Sequence, residues 1–255
     1  QRLRLGRTTN SRIGAGVARG LPESQGGVHG RVAGGVSCME FDSQGWQLAV
    51  AGEKSVTVYD FDTYVFENVQ LKHTLVSGVQ AYLQPTDGIK TAYTVSCVRW
   101  NPANEEQLAV SYHYHDEVEV YDLMTIEAGG SAKPVLTLKP STTGPASDLG
   151  KGHFCLEFVR RGAPGKAVTH LVAGSRGGVF RVWRFFPKRA TELAPFMQGQ
   201  VSVSPRGAAS RANVTAVCCL DPDVVLVGTD LGHLASYSLD PPKLKNFRSS
   251  KEADQ

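Results

Sequence analysis

The segment VSCMEFDSQGWQLAVAGEKSVTVYD, residues 36–60, returns as VSCVRWNPANEEQLAVSYHYHDEVEVYD at 95–122. A looser copy reads HFCLEF from 153, HLVAGS from 170 and VFRVW from 179. A fourth reads VTAVCC from 214, VVLVGT from 224 and HLASYS from 233. Cys38, Cys97, Cys155 and Ala216 hold one repeat position, spaced 59, 58 and 61 residues apart. A recurring unit constrains architecture before any single motif does, because each copy buries its apolar face only against a neighbouring copy.

Inside a copy the pattern is short apolar runs broken by turn residues. Leu48 to Ala51 lies between the turns Asp42-Ser43-Gln44-Gly45 and Gly52-Glu53-Lys54-Ser55, and Val56, Val58 and Tyr59 follow. Period-two alternation, β-branched residues and this punctuation predict an antiparallel meander, so the fold class is all-β. Alternation at Leu71, His73 and Leu75 predicts an outer fourth strand in the first copy, and 134–139 and 198–203 supply outer strands later. The segment 80–94, with Gln84-Pro85-Thr86-Asp87-Gly88, reads as a connection containing a turn.

The aromatic endings Tyr59-Asp60, Tyr121-Asp122, Trp183-Arg184 and Tyr237-Ser238 carry a resemblance. So do the small-residue turns Ala51-Gly52, Ala173-Gly174-Ser175 and Val227-Gly228-Thr229. With them, residues 36–240 resemble the WD-repeat family of β-propellers. The resemblance implies about four antiparallel blades in this chain, a whole or partial propeller, at about 36–79, 95–139, 153–203 and 214–239. A basic leader, 1–35, precedes them and a polar tail, 241–255, follows. It places Trp183 in a blade core.

Composition bounds the rest. Of 255 residues, 41% are hydrophobic, enough for a packed core, yet no apolar run reaches the ~18 residues of a membrane span. The leader lacks the apolar stretch of a signal peptide. Five cysteines, three at one strand position and none in a Cys-x-x-Cys pair, read as small buried hydrophobes. Free thiols suit a reducing compartment, so cytoplasm or nucleus is expected. The net charge of +3 divides into +5 on the leader, +2 on the tail and −4 on the repeats.

No phosphate loop or nucleophile elbow occurs, and no acid, base and nucleophile are brought together by spacing. Asp60 and Asp122 read as structural acceptors. His113 and His115 lie two apart beside Asp116, but spacing places no further ligand to complete a metal site. The expectation is therefore no enzyme, no cofactor and no metal. A propeller presents variable loops on a rigid frame, which implies a non-catalytic scaffold or adaptor for other proteins, without membrane attachment. The connections 80–94, 140–152 and 204–213 should gather on one face, with Tyr82, Arg206 and Arg211 there and Tyr112 and Tyr114 at an exposed turn. Tyr and Arg are favoured where binding energy concentrates.

Two further readings come from elsewhere in the chain. The Arg-rich leader and the Val-Ser-Cys-x-x-Phe opening resemble substrate receptors of cullin-RING ubiquitin ligases. Those receptors often carry Arg two residues past the aromatic-Asp pair, where this chain has Asp62 and Met124. A nucleic-acid binder would instead use the leader with Arg160, Arg161 and Lys166, and its affinity would fall steeply with salt.

Overall fold

The computed structural model describes residues 35–60, 85–126, 132–140, 151–161, 168–185, 191–201 and 212–239. The expected outer strand at 71–79, the leader and the tail lie outside the described residues. By contact density the chain divides into two compact units, one of Gln1–Val110 with Tyr121–Pro134 and one of Ser111–Val120 with Val135–Gln255. Strands dominate, and among the described residues the two helical segments are single 3-10 turns at Leu123–Thr125 and Arg176–Gly178.

The first sheet is a four-stranded meander: β1 (Cys38–Phe41), β2 (Gln47–Ala51), β3 (Ser55–Asp60) and β4 (Pro85–Lys90), paired in that order. Asp42 closes the first hairpin, its carboxylate accepting from the backbone N–H of Trp46 at 2.7 Å and of Gln47 at 3.2 Å. The strand at 85–90 corrects the expected connection. Pro-Thr-Asp-Gly looks like a turn, but a prolyl residue at the start of an outer strand lacks only a donor that an edge does not need. Pairing of Ile89 with Val56, both fully buried, anchors the strand.

The second sheet has β5 (Val95–Trp100), β6 (Gln107–Tyr112), β7 (Val118–Asp122) and β8 (Leu136–Leu138), in the order β8-β7-β6-β5. An added strand, Glu192–Leu193, pairs in parallel with β8 and extends this sheet at its edge. The third sheet contains β9 (His153–Arg161), β10 (Val168–Ser175) and β11 (Val179–Arg184). In chain order the added edge strand is β12, and β13 (Met197–Gln200) completes the third sheet beside β11. The fourth is a three-stranded meander of β14 (Val214–Asp221), β15 (Val224–Thr229) and β16 (Leu234–Ser238).

Within each unit one sheet packs on another through its inner strand. In the first unit, Glu40 on β1 reaches β5: its carboxylate accepts from the Trp100 backbone N–H, and its carbonyl accepts from the Trp100 indole, each at 3.1 Å. In the second unit, Cys155 and Val159 of β9 join Val214, Val225, Val227 and Leu239 in one apolar core. Gly174 permits the close approach, since a side chain there would overlap Val214 and Cys155. Trp183 is fully buried, as expected for a blade core. So are three of the thiols, Cys38, Cys97 and Cys155, whereas Cys218 is exposed.

Candidate functional site

The chemistry-bearing residues of the second unit meet at the ends of three strands. The turn from β6 to β7 carries His113 to Glu117, β9 begins at His153, and β10 runs into the turn Arg176-Gly177-Gly178. Gly177 and Gly178 have φ of 67° and 81°, left-handed values that a Cβ disfavours. That tight turn fixes Arg176 at the mouth of the hairpin.

A bulge on β9 does the rest. Pairing with β10 runs Gly174 to Cys155 and then Ser175 to His153, so Phe154 is the extra residue at the bulge. The slip puts His153 Nδ1 2.8 Å from Ser175 Oγ. On its other side, His153 Nε2 donates to the Asp116 carbonyl at 2.9 Å. A carbonyl only accepts, so Nδ1 must accept from the Ser175 hydroxyl. Ser175 Oγ in turn accepts from Arg181 at 3.1 Å. Every proton in this chain is placed with the imidazole neutral. Burial, the largest influence, pushes its pKa down to about 4 against the opposing pull of the Asp116 carbonyl. His153 therefore builds the site from beneath.

Above this base the turn is tied down by Asp116, whose carboxylate accepts from the Gly152 backbone N–H at 2.8 Å. Gly152 has φ of 105°, and a side chain there would overlap the His113 backbone. Phe154, at the bulge, and Tyr114 both lie close to one cation. The Arg176 guanidinium carbon lies 4.9 Å from the Tyr114 ring centroid and 5.4 Å from that of Phe154. Arg176 Nε is buried with no hydrogen-bond partner among the described residues. His113, beside it, is held below the usual histidine range by burial and then by the Arg176 charge.

Tyr114 is 70% exposed, as expected for a turn that meets solvent. Tyr112 is not: it is fully buried, and its hydroxyl donates to Glu119. The expectation that it shares the exposed turn is corrected. It is the last residue of β6, a strand buried on both faces from Leu108 to Tyr112. Tyr82, Arg206 and Arg211 lie outside the described residues. Phe154 and Arg176 were not singled out from sequence, because they join Tyr114 only through the bulge and the hairpin. The Gly-Gly pair directly after Arg176 is the signal that could have marked it.

Elsewhere, His115 Nε2 lies 3.3 Å from Glu117. Asp122 accepts from the Met124 backbone N–H at 3.1 Å, the structural role expected of it. Arg161, considered as a phosphate contact, instead donates from Nε to Asp223 at 2.7 Å and from Nη1 to the Leu239 carbonyl at 3.0 Å. Lys166 lies outside the described residues, and Arg160 is exposed.

No known family model matches the chain. No curated protein matches its sequence. The crystal structure of Saccharomyces cerevisiae Sqt1, a WD-repeat protein, is similar, with a TM-score of 0.52 and 14% identity over 80% of this chain and 47% of that one. The likeness supports a WD-repeat propeller-like, all-β fold. At this identity the likeness speaks for the fold alone, and the chain spans about half the length of Sqt1. With 660 solved chains matching, the fold is too widely shared to select a function, which must be argued from the site.

Proposed function

We propose that the chain is a non-catalytic protein-interaction platform, and that Tyr114, Arg176 and Phe154 form its contact centre. The observation that supports this is the stacked guanidinium. The Arg176 guanidinium carbon lies 4.9 Å and 5.4 Å from the Tyr114 and Phe154 ring centroids, its Nε is buried with no hydrogen-bond partner among the described residues, and Tyr114 is mostly in solvent. Stacking holds the guanidinium plane in place before a partner arrives, so little freedom is lost when it donates to an acidic side chain. Arg and Tyr are the residue types in which interface binding energy concentrates.

The test is capture with the full chain as bait. Proteins retained by the wild type are compared with those retained by Arg176→Lys, Arg176→Ala and Tyr114→Ala. The lysine variant keeps the charge and loses the planar fork. Loss of the same partner from all three supports the proposal. A partner set unchanged in both alanine variants refutes it.

A further inference from the structure

The outer strand of the second sheet, β8, is held unequally on its two sides. On one side it pairs with β7, Leu138 opposite Val118 and Leu136 opposite Val120. Leu138 is fully buried, and the Lys139 carbonyl is fixed by the Trp183 indole. On the other side its described partner is β12, two residues long. The Thr137 N–H donates to the Thr191 carbonyl and the Lys139 N–H to the Leu193 carbonyl, each at 2.8 Å. This pairing is parallel, the weaker ladder per residue. Thr191, Glu192 and Ala194 are exposed, so little apolar surface holds the segment down. The Lys139–Glu192 ion pair reaches solvent on both sides and adds little in water.

The third sheet does not need β12. The segment is a detour between β11 and β13, which pair directly with each other. Just beyond it, the Phe196 N–H donates to the Val182 carbonyl at 2.7 Å. The detour can lift away while the third sheet stays paired. What it leaves is a fixed strand edge with a defined register. Glu192 lies beside Thr137 and reaches Lys139 on one face, and Leu193 lies beside the buried Leu138 on the other.

We propose that this edge of β8 binds an extended segment of another protein in place of β12. The segment adds as a parallel strand, its carbonyls on the Thr137 and Lys139 N–H groups. It carries an acidic residue opposite Thr137, where Lys139 receives the charge, followed by an apolar residue opposite Leu138. β12 is the internal competitor that occupies the edge until such a segment displaces it. The edge shares no residue with the Arg176 cluster.

The probe is a fluorescein-labelled peptide KRATELA, the sequence of residues 188–194, together with its KRATKLA form. In fluorescence anisotropy with the full chain, the glutamate peptide should bind Glu192→Lys several-fold more tightly than wild type. The new lysine repels Lys139 and empties the edge. Lys139→Glu should reverse the choice and prefer the lysine peptide. Equal affinity for wild type and Glu192→Lys, no binding to either, or a Lys139→Glu protein that keeps the glutamate preference would each overturn the proposal. Amide exchange in the wild type gives a reading free of any variant. The Thr137 and Lys139 amides should exchange far faster than those of β6, and slow when the glutamate peptide is added. Exchange as slow as in β6 would mean that β12 is fixed, and the proposal fails. Self-association in sedimentation that Glu192→Lys abolishes would give the edge to the same segment of a second copy, and a foreign partner is then ruled out.

Discussion

The indole N–H of Trp183 donates to the carbonyl oxygen of Lys139 at 3.0 Å. One residue on β11 is thereby fastened to the strand end following β8. The ring is also edge-on to His153, with centroids 6.1 Å apart. Trp183→Ala should cost ~3–5 kcal/mol through lost burial and the cavity left behind. Trp183→Phe keeps most of the burial but strands the Lys139 carbonyl. It should cost less than the alanine change, with ~1–3 kcal/mol from the unsatisfied group. Urea unfolding of both variants checks the order.

His153 should make stability fall in mild acid. Its ordinary pKa of 6.5 applies to the unfolded chain, and the folded value is about 4. Between these, the unfolded chain binds a proton that the folded chain refuses. The stabilisation is full above pH 6.5 and is lost as pH falls towards about 4. Urea midpoints for the wild type and for His153→Gln should therefore converge across that window. Parallel profiles would show that His153 does not titrate as described.

Gly152→Ala should destabilise the second unit and disturb Tyr114. Both the positive φ and the neighbouring His113 backbone oppose a side chain there. The expected cost exceeds the ~1–2 kcal/mol of a left-handed residue alone, because backbone must also move. Thermal unfolding reads the loss, and Tyr114 side-chain resonances report the shift of the turn. An unchanged melting temperature would contradict the packing at this turn.

Cys38 gives a pH signature of the same sign at higher pH. The hydrogen bond from Cys97 is the main influence drawing its thiol down from 9.0 to about 7, against the effect of burial. A lowered acid stabilises the fold once ionised. That contribution should grow from about pH 7 to 9 and vanish as pH falls through about 7. Cys97→Ala removes the donor and should flatten the rise. Unfolding midpoints of the two proteins over this range provide the check.

The strands of the repeat were legible because alternation and turn residues act over a few positions. Gln47–Ala51 and Gln107–Tyr112 are strands, and the outer strands at Leu136–Leu138 and Met197–Gln200 fall within or across the expected segments. Pro85–Lys90 was missed because local turn chemistry and edge-strand chemistry use the same residues. The site was harder to read. Tyr114 could be named from its polar surroundings, but Tyr112 was misjudged by a strand end placed too early. Arg176 and Phe154 depend on a one-residue slip between two strands, and no local spacing announces such a slip.

The short parallel strand at Glu192–Leu193 has a consequence for how the chain is made. It lies against β8, and Glu192 pairs with Lys139 at 2.7 Å. A ribosome delivers this cover only after β9 to β11 have emerged. Until then the rim of β8 stands bare to other nascent chains. Slower translation between these points would lengthen that interval of risk.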